Sequence, residues 1–467
     1  MPRTRQEEPV EMQIEDLAYG GEGVGRFDGQ VHFVEGALPG ETVRAVPQKG
    51  GGKRWRRARL LEVLAPSPER IVPACPHAAV CGGCAYQALA YPAQLEAKAR
   101  QVRENLARIG GRLPPEPEPP LASPALWHYR NKMEFSFAAR PWDPAGPPPE
   151  GSGAGPGAAL GLHVRGRFDA VFDLERCLLA HADASGIVDL VRRFAREAEI
   201  PGYHGGRGSG LLRHLVVRTS RASGSHLVAL VVREDDPRLA PLATLLPAAF
   251  PSIAGLLLWI HAGAATVARA ERERILFGSD RIVERLADLE FELSASSFFQ
   301  TNSAAAEMLI RQLRAFAPPA ERLLDLYCGV GTLGLALARE CRTLHGIDSV
   351  DAAIRDARRN AARNGIDNAR FETALAEDWV GRAQEIQPDL VVIDPPRAGL
   401  HPRALEGLLA LASPSILYVS CNPSTLARDL AHLCEGGYEP ERMRILDLFP
   451  HTPHVETIVR LRRTASA

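Results

Sequence analysis

An α/β fold that ends in a doubly wound parallel sheet is predicted by three observations. From about Phe291 onward, apolar strand-like runs alternate with helix-like runs, a pattern typical of a parallel, Rossmann-like sheet. Before it, residues 10–65 alternate apolar and polar positions between glycine-rich turns, which predicts a small β-barrel of the oligonucleotide-binding kind. Between these two regions, mixed strands and helices indicate an α+β central domain.

Changes in composition place the boundaries between these regions. Pro66-Ser67-Pro68 closes the barrel, and the βα alternation begins near Phe291. The predicted domains are therefore 1–68, 69–290 and 291–467. Within the central domain, residues 113–124 and 141–159 are rich in proline and glycine, and we expect linkers there because neither segment carries enough apolar surface to order itself.

Composition sets limits on where the chain works and what it binds. No apolar run approaches the roughly 20 residues that a membrane span needs, and the charged N-terminus is not followed by an apolar signal core. We therefore expect a cytoplasmic protein without a membrane partner. The net charge of −1 gives no global sign of a nucleic-acid partner. No feature of the sequence indicates an obligate protein partner.

Positive charge is concentrated locally in the barrel. Between Lys49 and Arg59 the chain carries six basic residues and no acid. Such a stretch either contacts phosphates or is a solvated basic loop, and the local pattern favours neither. The candidate RNA-binding residues are Lys53, Arg54, Trp55, Arg56 and Arg57.

The spacing of the cysteines indicates a metal site. Cys75, Cys81 and Cys84 lie within ten residues, with two glycines that let the backbone fold around a small object, and Cys177 follows later. A disulfide framework is not expected in the cytoplasm. Three close thiolates and a distant one suit either an iron–sulfur cluster or a structural zinc ion, and thiolate number alone does not separate the two metals.

Three motifs follow strands of the predicted parallel sheet, where open α/β folds bind ligands. The first is the glycine turn Asp325-Leu-Tyr327-Cys-Gly329-Val-Gly331-Thr332, the second is Asp394-Pro-Pro-Arg397, and the third is Ser420-Cys421-Asn-Pro423. The glycine turn is shorter than the dinucleotide fingerprint, so a mononucleoside cofactor such as S-adenosylmethionine fits better. Asp348 ends the next strand and either binds a ribose or caps the following helix.

These motifs resemble the RNA (uracil-5-)-methyltransferases, which use S-adenosylmethionine to form 5-methyluridine. The resemblance includes the segment Phe449-Pro-His-Thr-Pro-His-Val-Glu-Thr457 and extends over nearly the whole chain, because residues 10–65 are similar to the TRAM barrel of this family and Tyr129–Phe135 to its central domain. It implies a class I methyltransferase domain at the C-terminal end. The cofactor-binding residues that the motifs and the resemblance indicate are Gln300, Tyr327, Gly329, Gly331, Thr332, Asp348 and Asp394.

The resemblance also implies a metal centre and a substrate. Cys75, Cys81, Cys84 and Cys177 match the four ligands of the [4Fe-4S] cluster in the branch that acts on 23S rRNA, whereas the transfer-RNA branch is expected to lack both barrel and cluster. Ribosomal RNA is therefore the expected partner, with zinc the less favoured metal. Two positions depart from the family pattern: Asp348 stands in place of the usual glutamate, and Thr332 in place of a frequent asparagine.

The hypothesis for the chemistry is covalent catalysis on an unpaired or flipped uridine. Uracil C5 is a weak nucleophile, so Cys421 as thiolate is expected to add to C6 and make C5 reactive toward the methyl group. Glu456, which the family motif indicates, is the expected general base for the C5 proton. Asp394 is expected to contact the cofactor or the uracil edge, and Arg397 to stabilise the enolate or hold a phosphate.

Alternatives of other classes stay open. The first is the same chemistry on a transfer-RNA uridine. The second is a non-catalytic RNA-binding or assembly protein, and the third is an iron-cluster redox protein. An amino-methyltransferase would place an aromatic residue where Arg397 stands, and a cytosine-5 methyltransferase would be expected to carry a second cysteine in the Asp394 motif. A Cys421→Ala variant distinguishes these alternatives: an enzyme is expected to lose methylation and to keep RNA binding.

Overall fold

Five strands at the N-terminal end close into a barrel. The structure is a computed structural model that describes residues 8–52, 54–110, 116–144, 158–204, 208–263 and 268–464. The barrel strands, in the spatial order β1-β2-β3-β5-β4, are β1 (Val10–Leu17), β2 (Glu22–Phe27), β3 (Gln30–Glu35), β4 (Thr42–Pro47) and β5 (Trp55–Ala65). Alternate residues such as Ile14, Val34 and Val43 fill the barrel interior, as the period of two in the sequence predicts.

The next two elements pack against the C-terminal part of the chain. They are α1 (Tyr91–Ile109) and β6 (Glu118–Leu121). Ala99, Val102 and Leu106 of α1 share a core cluster with residues of the C-terminal sheet, and β6 forms the edge of that sheet. The prediction of a linker over 113–124 is therefore wrong for residues 118–121. An edge strand tolerates its two prolines because one side of the strand makes no ladder.

A seven-stranded sheet forms the central region. Its strands and helices are β7 (Lys132–Ala138), β8 (Ala159–His163), β9 (Val171–Asp173), α2 (Ala182–Glu197), β10 (Leu212–Thr219), β11 (His226–Val232), α3 (Leu242–Ala249), β12 (Ile253–Ile260) and β13 (Arg272–Gly278). The spatial order is β13-β12-β11-β10-β7-β8-β9. The prediction of a linker over 141–159 is wrong at residue 159, which opens β8, and residues 145–157 lie outside the described ranges. A short hairpin follows, β14 (Arg281–Leu286) and β15 (Leu289–Ser294).

The remaining chain alternates strands and helices as predicted. Its elements are α4 (Ser303–Phe316), β16 (Arg322–Leu326), α5 (Thr332–Leu337), β17 (Thr343–Asp348), α6 (Asp351–Arg363), β18 (Ala369–Thr373), α7 (Ala376–Trp379), β19 (Leu390–Ile393), α8 (Pro402–Leu411), β20 (Ser415–Ser420), α9 (Pro423–Glu435), β21 (Tyr438–Leu446) and β22 (Glu456–Arg463). The sheet order is β18-β17-β16-β19-β20-β22-β21-β6, with β18 to β20 parallel and β22 antiparallel to β20. The predicted α/β class with an N-terminal barrel is confirmed.

The strand order reverses at β16, and this fixes where a ligand can bind. β16 pairs with β17 on one side and with β19 on the other, so strands that follow β16 in the chain lie on both of its sides. A crevice opens outside the carboxyl ends of neighbouring strands at such a switch point. Two of the motifs, at Tyr327 and Asp394, follow β16 and β19. None of the helices in the described ranges combines the length and apolar character that a membrane-spanning helix requires.

Candidate active site

The turn after β16 is shaped by three left-handed residues. Tyr327, Gly329 and Gly331 have φ angles of +62°, +55° and +88°. The first is unusual because a bulky side chain is strained in this region. A Cβ atom at Gly331 would lie 2.9 Å from Leu335 Cδ1, whereas one at Gly329 would meet open space. The backbone at Gly329 is thus accessible to a ligand.

Asp348, at the end of β17, holds this turn in place. Its Oδ2 accepts the N–H of Gly329 at 3.0 Å, and its Oδ1 accepts the N–H of Val350 at 2.9 Å. Helix α6 is capped by Val350, so Asp348 is not the residue at the cap position itself. Aspartate here fixes the glycine turn, and its proposed contact with a ribose stays a prediction.

The cleft at the switch point is acidic. It is lined by the turn, by Phe298, Phe299 and Gln300, and by Asp325 and Asp394. Gln300 Nε2 donates to Asp394 Oδ2 at 3.3 Å. Burial raises the pKa of Asp394 to about 7, against the hydrogen bond from Gln300, and burial raises the pKa of Asp325 to about 8. Both carboxyls would be stabilised by a positive charge in the cleft.

Cys421 follows β20, the next strand along the sheet. The residue after it, Asn422, caps α9 by accepting the N–H of Ser424 at 3.1 Å, and Pro423 is the first helical residue. Asn422 Nδ2 also donates to the carbonyl of Arg397 at 2.8 Å, which ties the two motifs together. The half-buried thiol lies at the strand edge rather than inside the core.

Glu456 is placed beside Cys421 by the register of two strands. Ser420 of β20 pairs with Thr457 of β22, so the residues just beyond them, Cys421 and Glu456, face each other. Glu456 is only 2% exposed, and in the described part of the chain its Oε1 has no hydrogen-bond partner. A buried carboxyl oxygen that makes no structural bond is free to accept a proton from a substrate.

The thiol and the two carboxyls influence one another. Burial raises the pKa of Cys421 to about 11, helped by the charges of Glu456 and Asp394 and opposed by Arg397. Burial and then the nearby Asp394 raise the pKa of Glu456 well above its ordinary value. The ionised forms of these groups are therefore disfavoured in the free protein, and a bound cation would favour them.

The loop that carries Glu456 is held by the N-terminal half of the chain. The fully buried Lys98 of α1 donates to Asp447 Oδ1 at 2.7 Å and to the carbonyl of Phe449 at 3.0 Å. His451 stacks on Trp127 with ring centres 3.8 Å apart, and His454 contacts Arg397 at 3.1 Å. The two histidines therefore have separate partners.

The four predicted metal ligands line one cavity. Cys75, Cys81, Cys84 and Cys177 surround a space of about 400 Å³ together with apolar walls that include Met133. Burial raises the pKa of Cys84 to about 12 and also raises the pKa values of Cys81 and Cys177, and the neighbouring thiols add to each effect. The N–H of Gly83 points at Cys81 Sγ at 3.4 Å.

A second group of potential metal ligands lies apart from this cavity. Among the residues that the structure describes, His181, Asp183 and His226 have their ligand atoms within 4.8 Å of one another. The four cavity thiols suit either an iron–sulfur cluster or a structural zinc ion by ligand type.

The predicted RNA-binding stretch lies at the far end of the barrel from the active site. Arg54 and Trp55 are exposed, and Trp55 packs edge-on against Phe33. Arg57 is paired with Glu22 at 2.9 Å, so its charge is partly compensated. Arg56 is half-buried, and Lys53 lies outside the described residues. A role of this stretch in RNA binding stays a prediction.

Most of the predicted cofactor residues meet in the cleft, and some lining residues were not predicted. Gln300, Tyr327, Gly329, Thr332 and Asp394 line it directly, while Gly331 and Asp348 shape its turn. Sequence reasoning missed six lining residues, all of which lie beside Gln300 or in or directly after the glycine turn. They are Phe298, Phe299, Asp325, Cys328, Val330 and Leu333.

Comparisons with known proteins agree with this geometry. Residues 261–464 match the tRNA (Uracil-5-)-methyltransferase family, and residues 4–45 match the TRAM domain. The chain is 38% identical to an uncharacterized RNA methyltransferase of Chlorobaculum tepidum over 99% of this chain and 98% of that protein. An uncharacterized RNA methyltransferase of Halalkalibacterium halodurans is 34% identical over 97% and 96%.

A solved structure is similar over nearly the whole chain. The tRNA (uracil-54, C5)-methyltransferase of Pyrococcus abyssi, in complex with S-adenosyl-L-homocysteine, has a TM-score of 0.74 and 29% identity, and the match covers 97% of this chain and 100% of that chain. Such coverage extends into the barrel, so the expectation that transfer-RNA enzymes lack a barrel is wrong for this relative. The fold, the site and these relatives show that the chain belongs to the S-adenosylmethionine-dependent RNA (uracil-5-)-methyltransferase family.

Proposed function

We propose that the protein methylates C5 of a uridine in 23S rRNA, in the cytoplasm, through a transient bond between Cys421 and C6 of the base. The observation that carries this proposal is the meeting of Cys421, Glu456 and Asp394 at the sheet edge, beside the acidic cleft. This reaction needs a thiol, a buried carboxyl with an oxygen available to accept a proton, and an acidic cleft that favours a cationic cofactor.

The cleft residues fit S-adenosylmethionine. When bound, this cofactor supplies an electrophilic methyl group on a positively charged sulfonium. Asp325 and Asp394 would favour that charge, since burial raises the pKa of each carboxyl and, among the described residues, Asp325 Oδ1 makes no hydrogen bond. The open backbone at Gly329 and the ring of Tyr327 offer a surface for the nucleoside, and Gln300 orients Asp394.

The proposed reaction uses one nucleophile and one base. The Cys421 thiolate forms a bond to C6, and the C5–C6 electron pair moves toward the C4 carbonyl to give an enolate. C5 would then bond to the methyl carbon as the bond between that carbon and the sulfonium sulfur breaks, and the electron pair would stay on the sulfur, which leaves S-adenosylhomocysteine. The Glu456 carboxylate accepts the C5 proton, the S–C6 bond breaks, and its electron pair returns to sulfur, which restores the ring and the free nucleophile.

The charge state of the thiol decides when this sequence can start. With a pKa raised to about 11 by burial, Glu456 and Asp394, Cys421 is protonated at neutral pH in the free protein. Arg397 opposes this shift and is tied to the nucleophile loop through Asn422. Arg397 is therefore proposed to favour the thiolate and to hold a phosphate or the enolate oxygen.

The four cavity cysteines are proposed to hold a [4Fe-4S] cluster. Their shared cavity and the N–H bond to Cys81 Sγ support a metal centre of four thiolates, and the resemblance of the quartet to that of the 23S rRNA branch favours the cluster over a zinc ion. The cluster would join the segment 75–84 to Cys177 in the central region. No electron transfer is needed by the proposed methylation, so the role is structural.

Ribosomal RNA is proposed as the substrate because the cysteine quartet resembles that of the 23S branch. The similarity to the Pyrococcus abyssi transfer-RNA enzyme favours a second candidate, the same chemistry on a transfer-RNA uridine. In either RNA the target base must be unpaired or swung out of its stack. The exposed Arg54 and Trp55 of the barrel are proposed to contact RNA away from the target, with Arg56, Arg57 and Lys53 adding charge.

Methylation assays on both RNAs test this function. Purified protein with radiolabelled S-adenosylmethionine is expected to modify a 23S rRNA transcript at uridine C5 and to leave a bulk transfer-RNA transcript pool unmodified. RNA with 5-fluorouridine at the mapped site should give a covalent protein–RNA species, because fluorine at C5 cannot leave as a proton. Modification of transfer RNA alone would support the second candidate, and RNA binding with no methylation of either would refute the enzyme.

A further inference from the structure

The turn between β1 and β2 brings the barrel to the active site. It comprises residues 18–21 and is closed by two hydrogen bonds of 2.8 Å, from Ala18 N–H to the carbonyl of Glu22 and from Gly21 N–H to the carbonyl of Ala18. Tyr19 lies at its tip, and its side chain is 37% exposed. The turn belongs to the barrel, yet its surroundings belong to the catalytic region.

This turn is anchored to the parts of the chain that hold Glu456. Asp16 is paired with Arg100 of α1 at 2.6 Å, and the carbonyl of Leu17 accepts from Gln101 Nε2 at 2.8 Å. A Cβ atom at Gly21 would lie 3.0 Å from the ring of Tyr86, so turn and ring are in close contact.

The same ring belongs to the segment that supports the catalytic loop. The N–H of Tyr86 donates to the carbonyl of His451 at 2.9 Å, and His451 lies in the loop before Glu456. A continuous set of contacts thus fixes the position of Tyr19 relative to the catalytic carboxyl.

The electrostatics of Tyr19 agree with this placement. Burial is the main cause that raises the pKa of its phenol, Arg397 opposes the shift, and Cys421 and Glu456 add to it. All three of these residues belong to the candidate active site. A barrel side chain therefore lies within electrostatic reach of the nucleophile, the base and the arginine.

We propose that Tyr19 stacks on a nucleotide next to the target uridine and so helps to hold the strand while the target base is in the site. The inference rests on the proposed function and adds a substrate-positioning residue to it. A half-exposed aromatic ring presents the flat apolar surface on which unpaired bases stack. Beside the ring, a Cβ atom at Gly20 would meet open space, which leaves room for a ribose–phosphate chain.

The barrel also offers a path for the rest of the strand. Val31 of β3 pairs with Arg26, near the end of β2, and also with Trp55, at the start of β5. The exposed Trp55 is therefore level with the end of β2 that lies away from the β1–β2 turn. A single strand that starts at Tyr19 would reach the basic stretch after about 15 Å, the length of five strand residues. Two aromatic contacts at this spacing suit several consecutive nucleotides.

Substitutions at Tyr19 separate stacking from packing. Tyr19→Ala and Tyr19→Leu remove the ring, whereas Tyr19→Phe keeps it. We expect the first two to raise KM for RNA methylation about 5- to 150-fold, the range for loss of one base stack, with little change in kcat at saturating RNA. Tyr19→Phe should stay within about threefold of wild type. The control is Phe277→Ala, because Phe277 is 38% exposed and lies on the edge strand β13 of the central sheet.

A second measurement does not need turnover. Single-stranded RNA with 2-aminopurine beside a uridine should lose fluorescence on binding wild type, Tyr19→Phe and Phe277→Ala, and should keep most of it with Tyr19→Ala and Tyr19→Leu. If wild type methylates RNA and Tyr19→Ala shows the same KM and the same fluorescence loss as wild type, the inference is overturned and the proposed function stands. Equal behaviour of Tyr19→Leu and Tyr19→Phe would also overturn it. Quenching that depends on the ring, without any methylation by wild type, would support the inference and refute the proposed function.

Discussion

The thiol of Cys421 and the thiols of the cysteine cavity differ less in pKa than in the residues that surround them. Burial raises the pKa of Cys421 to about 11 and that of Cys84 to about 12, so neither is a reactive thiolate in the free protein. Cys421, however, lies beside the carboxyls of Glu456 and Asp394 and the cation of Arg397. Cys84 lies beside three other thiols and Gln87, in a cavity lined by both apolar and charged residues.

The neighbours of each thiol, rather than its pKa, therefore indicate its chemistry. Carboxyls with raised pKa values can accept and return protons near neutral pH, which suits a reaction in which C5 loses a proton. The pKa values of Cys81, Cys84 and Cys177 are raised by burial and by the neighbouring thiols, and a soft metal is the ligand that would stabilise these thiols as thiolates. The predictions below test this contrast, beginning with the largest expected effect.

The largest effect is expected at Cys421. Cys421→Ala should lower methylation by about 10⁴-fold or more, as removal of a covalent nucleophile does in other enzymes, while RNA binding is retained. Glu456→Gln should lower turnover by about 10²- to 10⁴-fold and let the covalent protein–RNA species accumulate, because the C5 proton cannot be removed. Methyl transfer and denaturing gel electrophoresis measure the two outcomes.

The matched control is Cys341→Ala, since Cys341 is a half-buried thiol that donates to the carbonyl of Ala338 away from the cleft. It should methylate like wild type. A Glu456→Gln variant that turns over normally and traps no RNA would contradict the assignment of the base. A Cys421→Ala variant that still methylates would remove the covalent scheme.

A smaller effect on methylation is expected from the cysteine cavity. Cys84→Ser should abolish iron binding and visible absorbance and lower the melting temperature by several degrees, because a metal that binds only the folded state stabilises it. Methylation by the protein that remains folded should fall by about tenfold or less. Metal analysis, absorbance and thermal melting are the measurements. A loss of methylation as complete as that of Cys421→Ala would break the contrast between a structural and a reactive group of thiols.

The smallest effect tests the acidic character of the cleft. Burial raises the pKa of Asp325 to about 8 from an ordinary value near 3.8, so between these values the folded state binds one proton more than the unfolded state. Stability should therefore fall as the pH rises through this window. Asp325→Asn keeps an oxygen for the N–H of Gly334, which Asp325 Oδ2 now accepts at 2.9 Å.

The expected result is a melting temperature a few degrees above wild type at pH 8.5 and a much smaller difference at pH 4.5, which lies only just above the ordinary pKa of an aspartate. The exposed Asp367→Asn variant is the control and should show no such pH-dependent gain. An equal gain at both pH values would mean that the buried charge of Asp325 is not its cause. Added S-adenosylmethionine should reduce the gain, because a cation in the cleft favours the ionised carboxyl.

Residue patterns alone were enough to predict the classes of element and the positions of the three motifs. Period-two patterns set the barrel strands, and βα alternation set a parallel sheet whose carboxyl edge had to carry Tyr327, Asp394 and Cys421. These inferences work because the periodicity of side chains and the turn residues are local properties of the chain. The resemblance of whole motifs to a known family then indicated Glu456, which no local pattern identifies.

The folded chain sets which side chains come together. The pairing of Ser420 with Thr457 brings Glu456 near Cys421, the docking of α1 holds the loop before Glu456 through Lys98, and the β1–β2 turn lies beside this loop. Each of these contacts joins residues far apart in the chain. Strand register and packing between elements depend on the sum of many long-range contacts, so no short stretch of sequence contains them.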